Sequence, residues 1–264
     1  MSGIPRQIYL MYHELELPGR PLCQNEPGYV RYIVSASDFR EQMQVLKDSG
    51  LGGMSVSDAL EHPDRTGAVI TFDDGCETDL ISAAPLIRDF GFNATFYVTV
   101  GFLEKPGYLS RTQLRDLSNL GVEVGSHSMT HSYLSDLSLE QITYEIAASK
   151  RELEQITGRS VEHFSCPGGR WDRRVAEMAR QSGFRSVTTS RVAANSSRSD
   201  SFALGRVPIL RGTPLVAFKA ITKGHGLWRF RLRDTGRSAV KHLLGSRAYD
   251  LIRAQILRKD AANK

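Results

Sequence analysis

The chain has 264 residues, 41% hydrophobic and 24% charged, the composition of an ordinary soluble globular protein with length enough for one large domain or two small ones. Its three cysteines (Cys23, Cys76, Cys166) form an odd, sparse set without CxxC or Cys/His finger spacing, which argues against a disulfide framework and against a structural zinc module. The net charge of +5 is carried by the end of the chain: residues 215–264 hold 12 Lys/Arg against 3 Asp/Glu, and the remainder holds 22 against 26.

The opening residues, MSGIPRQIYLMYHE, contain one apolar run too short for a secretory signal or a membrane span, so a cytoplasmic location is expected. That run, Ile8–Tyr12, reads as a strand, and the proline- and glycine-rich stretch after it reads as loop. A helix follows from Ser37, with Phe39, Met43 and Leu46 on one face and Gly50 as its stop. Ala68–Phe72 is a buried strand, Leu80–Phe90 a helix closed by Gly91, and Ala94–Val98 a strand. Arg111–Leu120 is a helix closed by Gly121, and Val122–Val124 is a strand. Ser138–Ile156 is a long amphipathic helix opened by a capping box of Ser138 and Gln141 and stopped by Gly158. His163–Ser165, Arg173–Ser182 and Ser186–Thr189 continue as strand, helix and strand. Such alternation implies a mainly parallel sheet wrapped by helices, with chemistry at the carboxyl ends of the strands. Residues 1–214 are expected to form this domain, and 215–264 a basic helical extension.

Three short segments fall at those strand ends: Thr71-Phe72-Asp73-Asp74-Gly75, His127-Ser128-Met129-Thr130-His131, and Phe164-Ser165-Cys166-Pro167-Gly168-Gly169. Taken singly, an Asp-Asp-Gly is usually a turn and a His-x-x-x-His is usually a surface coincidence. Together they offer one carboxylate and two imidazoles to a divalent ion, the histidines meeting if their turn is helical, and a second carboxylate to act as base. A bound ion of this kind acidifies its water to a pKa of about 7 and polarises a carbonyl. Gly168 permits close backbone approach, so a main-chain N–H there can face an oxyanion.

TFDDG, HSMTH and the Pro-Gly-Gly segment resemble the first three motifs of the polysaccharide deacetylase (NodB-homology, carbohydrate esterase family 4) group, over roughly Tyr9 to Pro214. The resemblance implies an α/β fold, a distorted (β/α) barrel of about seven strands, and zinc or a similar divalent ion. It implies Asp73 as base and Asp74, His127 and His131 as ligands. It also implies hydrolysis of N-acetyl groups on an amino-sugar glycan or its precursor. Alternatives are a deformylase or amidase acting on a lipid-linked sugar or small cyclic amide, and a non-catalytic glycan-binding member.

Two departures stand out. Ser165 occupies the place of an arginine that orients the base in many members, and Leu204-Gly205-Arg206-Val207-Pro208 lacks the usual late histidine. A subgroup acting on poly-N-acetylglucosamine uses an N-terminal Tyr-His, which Tyr12-His13 resembles, so His13 is either the general acid or a histidine packed at the barrel rim. Arg206 either replaces the missing arginine beside Asp73 or sits on a solvated rim. Trp171 walls the acetyl pocket or packs in the core, and Pro167 belongs with Gly168 to the oxyanion segment. The free cysteines default to buried small hydrophobes. In the extension, Trp228, Phe230 and Leu232 interleave with Arg229, Arg231 and Arg233, as a solvated helix or a peripheral membrane contact would. Nucleic acid is discounted because no recognition motif accompanies the charge. The sequence sets no oligomeric state.

Overall fold

A computed structural model describes residues 6–228. Ten strands occur among them: β1 (Gln7–Tyr12), β2 (Leu15–Glu16), β3 (Val34–Ser35), β4 (Gly53–Met54), β5 (Gly67–Phe72), β6 (Thr95–Val98), β7 (Glu123–Ser126), β8 (His163–Ser165), β9 (Ser186–Thr188) and β10 (Val207–Pro208). The helices are α1 (Pro27–Val30), α2 (Ala36–Asp48), α3 (Val56–Glu61), α4 (Ala84–Asp89), α5 (Arg111–Asn119), α6 (Leu139–Thr157), α7 (Arg173–Gln181) and α8 (Leu215–Thr222).

Seven strands pair in the order β10-β1-β5-β6-β7-β8-β9, all parallel, with β4 beside the start of β5. The expected seven-strand distorted barrel is therefore present. The chain from Leu204 to Ile209 nearly closes it: Leu204 bonds to Val187 and Thr189 on the β9 side, and Val207 then pairs with Leu10 of β1. The sequence reading took this segment only as a motif lacking a histidine, because five residues broken by Gly205 and Pro208 show no periodicity.

Strand alternation sorts the side chains into two sets. Ile8, Leu10, Tyr12, Ala68, Ile70, Phe72, Phe96 and Val98 point outward into one apolar core shared with the helices. Tyr9, Val69, Tyr97 and Leu204 form a smaller inner cluster at the barrel base. Gly125 of β7 serves this interior, since a Cβ there would lie 2.4 Å from the Tyr97 ring. Above that cluster the inward positions become polar, and they carry the site.

Local rules account for most helix ends. The capping box at Ser138 and Gln141 is formed, and Gly158 ends α6 with φ 67°. The helix expected over Leu80–Phe90 is divided: a π turn spans Asp79–Ala83 before α4 begins. Pro85 explains the break, since it has no N–H to donate and its ring crowds the carbonyl four residues back, which a wider turn relieves. The start of the basic extension is α8, whose Phe218 and Ile221 are buried in the same core as the barrel helices, while Val216 is 83% exposed. Residues 229–264, with Arg229, Phe230 and the remaining basic segment, lie outside the described residues. No helix among the described residues is long and apolar enough to cross a membrane.

Candidate metal centre and active site

β5 delivers two carboxylates in succession. Thr71 and Asp73 continue the inward register of the strand, and Asp73 is 2% exposed. Asp74 adopts φ 84°, a left-handed conformation that turns the chain at the barrel mouth. Ser128 (φ 70°) and His131 (φ 64°) share that conformation. Each costs roughly 1–2 kcal/mol for a residue bearing a Cβ, and such outliers cluster at functional sites. The His127–His131 segment is thus a loop, and the helical turn proposed to unite the histidines is not what brings them together. Ser128 Oγ accepts the His131 N–H at 3.0 Å. The buried Glu145 carboxylate of α6 accepts the N–H groups of Met129 and Thr130 at 2.9 and 2.8 Å. These contacts fold the loop back so that the imidazole rings lie 5.0 Å apart.

Asp74 Oδ1 faces both imidazoles, 3.6 Å from His127 Nε2 and 3.4 Å from His131 Nε2. It is buried and has no hydrogen-bond partner. Ligands about 2.0–2.1 Å from a tetrahedral ion stand roughly 3.3–3.5 Å apart, close to both separations of Asp74 Oδ1 from the imidazoles, and one donor atom from each of the three residues lies within 4.8 Å of the others. The Ser165 carbonyl lies 2.9 Å from His127 Nδ1. A carbonyl can only accept, so Nδ1 carries the proton and Nε2 presents its lone pair to the cluster. Burial lowers the His127 pKa to about 4, which keeps the ring neutral and able to ligate. Burial opposes ionisation of Asp74, but the nearby His131 imidazole outweighs it and holds the carboxyl well below its usual range.

Asp73 is bound differently. Arg206, fully buried, forms a two-pronged pair with it, Nη1 to Oδ1 at 2.7 Å and Nη2 to Oδ2 at 2.8 Å. The other donors of Arg206 reach Thr71 Oγ1 (3.2 Å), Ser165 Oγ (2.8 Å) and the Thr189 carbonyl (3.1 Å), so every N–H of the guanidinium is used. Burial would raise the Asp73 pKa, yet the Arg206 charge more than compensates, and the carboxylate is held below its usual range. The solvated-rim position weighed for Arg206 is therefore incorrect: it lies inside the barrel. Ser165 accepts one of its N–H groups.

These groups line a cavity of about 440 Å³ whose walls include His13, Tyr29, Tyr32, Tyr133, Gly168 and Ser190. His13 follows β1, its ring 4.9 Å from that of Tyr32 and its Nδ1 buried without a partner. Burial lowers its pKa, partly offset by the charges of Asp74 and Asp73. In the Pro167-Gly168-Gly169 turn, the N–H groups of Gly169 and Arg170 bond back to Cys166 and Pro167. The Gly168 N–H has no acceptor among the described residues, and a Cβ on Gly168 (φ 58°) would lie 2.6 Å from the Tyr133 ring. Pro167, which has no N–H, is buried and acts only in the turn. Trp171 does not line the cavity: its indole N–H donates to the Phe202 carbonyl at 2.7 Å and its ring packs on the core, which corrects the acetyl-wall assignment.

The sequence reading missed Tyr29, Tyr32, Tyr133 and Glu145. Only Glu145 left a trace, a charge on the apolar face of α6 between Ile142 and Ile146.

Comparison with known proteins agrees with this geometry. The sequence profile of the polysaccharide deacetylase family matches residues 61–187. The YxkH protein of Bacillus subtilis, which carries a polysaccharide deacetylase name, is 25% identical over 193 residues, 71% of this chain and 69% of that one. The chitooligosaccharide deacetylase of Azorhizobium caulinodans is 30% identical over 128 residues, 48% of this chain and 59% of that protein. The solved structure of the Streptococcus pyogenes deacetylase PplD, in complex with acetate, superposes with a TM-score of 0.73 at 20% identity, covering 83% of this chain and 99% of that one. The stretch that matches the polysaccharide deacetylase family, residues 61–187, is the one that supplies Asp73, Asp74, His127 and His131.

Proposed function

We propose that this protein is a metal-dependent hydrolase that removes N-acetyl groups from an amino-sugar polymer or its precursor. The observation that carries the reading is the unpartnered Asp74 Oδ1 between two imidazole nitrogens, beside a second carboxylate held by Arg206. Zinc or a similar divalent ion, held by Asp74, His127 and His131, would supply Lewis acidity toward an amide carbonyl and an acidified water.

The chain's own groups divide the remaining work. Asp73 is kept ionised by Arg206 and accepts a proton at its carboxylate. The Gly168 N–H faces the oxygen on which charge develops, as a preorganised dipole. His13 is within the same cavity and donates a proton to the departing nitrogen, without which an amine is a poor leaving group. Tyr32 and Tyr133 offer ring faces to a sugar.

We further propose a reducing, cytoplasmic location, which its three free cysteines favour. Action on precursors of an exported polysaccharide, with peripheral membrane contact through 215–264, would suit such a place. The test is acetate release from N-acetylglucosamine oligomers. Release that chelator abolishes and zinc restores supports the reading, and formate release from a formylated sugar in its place would redirect it. Liposome co-sedimentation that is equal for the full chain and a 1–214 truncation would remove the membrane contact.

A further inference from the structure

Behind the wall that Tyr29 contributes to the cavity lies a second cluster of ligating groups that the hydrolytic chemistry does not use. Glu14, 1% exposed, follows His13; Cys23 lies on the loop between β2 and α1; Cys76 lies two residues beyond Asp74. One carboxylate oxygen and both sulfurs lie within 4.8 Å of one another. Both thiols are free.

The carboxylate is oriented by its neighbours. The Cys23 N–H donates to Glu14 Oε1 and Oε2 at 3.2 and 3.0 Å, and the Tyr29 hydroxyl donates to Oε2 at 3.0 Å. Oε1 thus keeps a lone pair free. The Tyr29 hydroxyl is also 3.4 Å from Cys76 Sγ. Asp79, opening the π turn, is 1% exposed, and both its carboxyl oxygens are buried without a partner. Leaving such a group unpaired costs several kcal/mol if it is charged, and buried orphans of this kind often mark an ion. Burial first, and then the charges of Cys23, Asp74, Glu14 and Asp73, push the Asp79 carboxyl up from its ordinary value.

We propose that Cys23, Cys76 and Glu14, with Asp79 beside them, form a second divalent-cation site, thiolate-rich and selective for zinc-like ions. Two thiolates and a carboxylate select a borderline-soft, tetrahedral ion. Sulfurs about 2.3 Å from such an ion stand roughly 3.8 Å apart, inside the 4.8 Å that bounds these donors, and ligation replaces the bond that Cys23 Sγ donates to the Gly107 carbonyl at 3.0 Å. Binding releases two thiol protons to solvent, while Glu14 keeps its hydrogen bonds to Cys23 and Tyr29. The ion joins three segments that carry the catalytic wall: the end of β1 with His13, the loop before α1, and the turn after Asp74. This site is independent of the deacetylase reading.

Anaerobic titration of the reduced full-length protein with Co2+ tests it, because only thiolate ligands give a near-ultraviolet sulfur-to-cobalt charge-transfer band. The expected result is two equivalents bound, one of them with the band. Asp74→Ala keeps the band and loses one equivalent. Cys76→Ser and Cys23→Ser each lose the band and keep one equivalent, and Cys166→Ser keeps both. One equivalent without the band in the wild-type protein overturns the proposal, as does a band that survives Cys23→Ser. A wild-type protein that binds one equivalent, without the band and lost in Asp74→Ala, sinks this site and leaves the Asp74 centre standing. The opposite pattern, with the band present and no equivalent lost in Asp74→Ala, sinks the Asp74 centre alone.

Discussion

Replacing Arg206 by Met removes the cation from a pair whose side chains are 0% and 3% exposed. Asp73 then remains buried with its charge uncompensated, and breaking a buried pair from one side costs about 3–5 kcal/mol. For a protein of this size each kcal/mol moves the midpoint by about 2–4 °C, so the apo protein should melt roughly 6–20 °C lower. Asp73 recovers part of this by taking up a proton, so its pKa rises and its capacity as a base at neutral pH falls. The double variant Arg206→Met/Asp73→Asn removes the orphaned charge and should regain most of the stability, since replacing both partners is often near neutral. Its turnover should stay lost. Arg206→Lys keeps the charge but cannot form the two-pronged contact, and should fall between. The assay is denaturant unfolding of the chelated protein for all variants, paired with acetate release. If Arg206→Met unfolds within about 1 kcal/mol of wild type and the double variant adds the two single effects without coupling, the argument that this pair organises the site is wrong.

The other predictions concern single groups. His13→Ala should bind metal normally and lose about 10²–10⁴-fold in turnover, the usual worth of a positioned proton donor; unchanged turnover with normal metal content would remove it from the mechanism. Gly168→Ala meets both the left-handed penalty of about 1–2 kcal/mol and the Tyr133 ring at 2.6 Å, so it should lower turnover more than it lowers the melting midpoint of the apo protein. Glu123, at the barrel base, is held below its usual pKa: burial opposes ionisation, but hydrogen bonds led by that of His163 outweigh it. A carboxylate lowered on folding stabilises above its unfolded pKa and loses that contribution as pH falls through its folded pKa. Glu123→Gln should therefore cost about 1–2 kcal/mol at pH 7, with the difference from wild type closing below about pH 4 in denaturant titrations.

The order of strands and helices was legible in the sequence because each reports itself locally. Period-2 and period-3.6 apolar patterns, the Ser138 capping box and the glycine stops act over a few residues, and the parallel α/β class follows from their alternation. The two carboxylates and two histidines were legible too, since each pair sits within five consecutive residues at a strand end. What united them was not: the His127–His131 loop closes through left-handed residues and a carboxylate of α6, and not through the helical turn that spacing alone would need. Nor could the sequence place Arg206, 133 residues from Asp73, or show that Ser165 accepts from it. Barrel closure brings those positions together, and closure is a long-range pairing with no local signature. The same holds for Cys23 and Cys76, which the sequence offers as two sparse thiols. Chain order settles which chemical groups are available and at which strand ends; only the curled sheet, by burying Arg206 where water cannot compete, settles which carboxylate it holds and which is left facing the histidines.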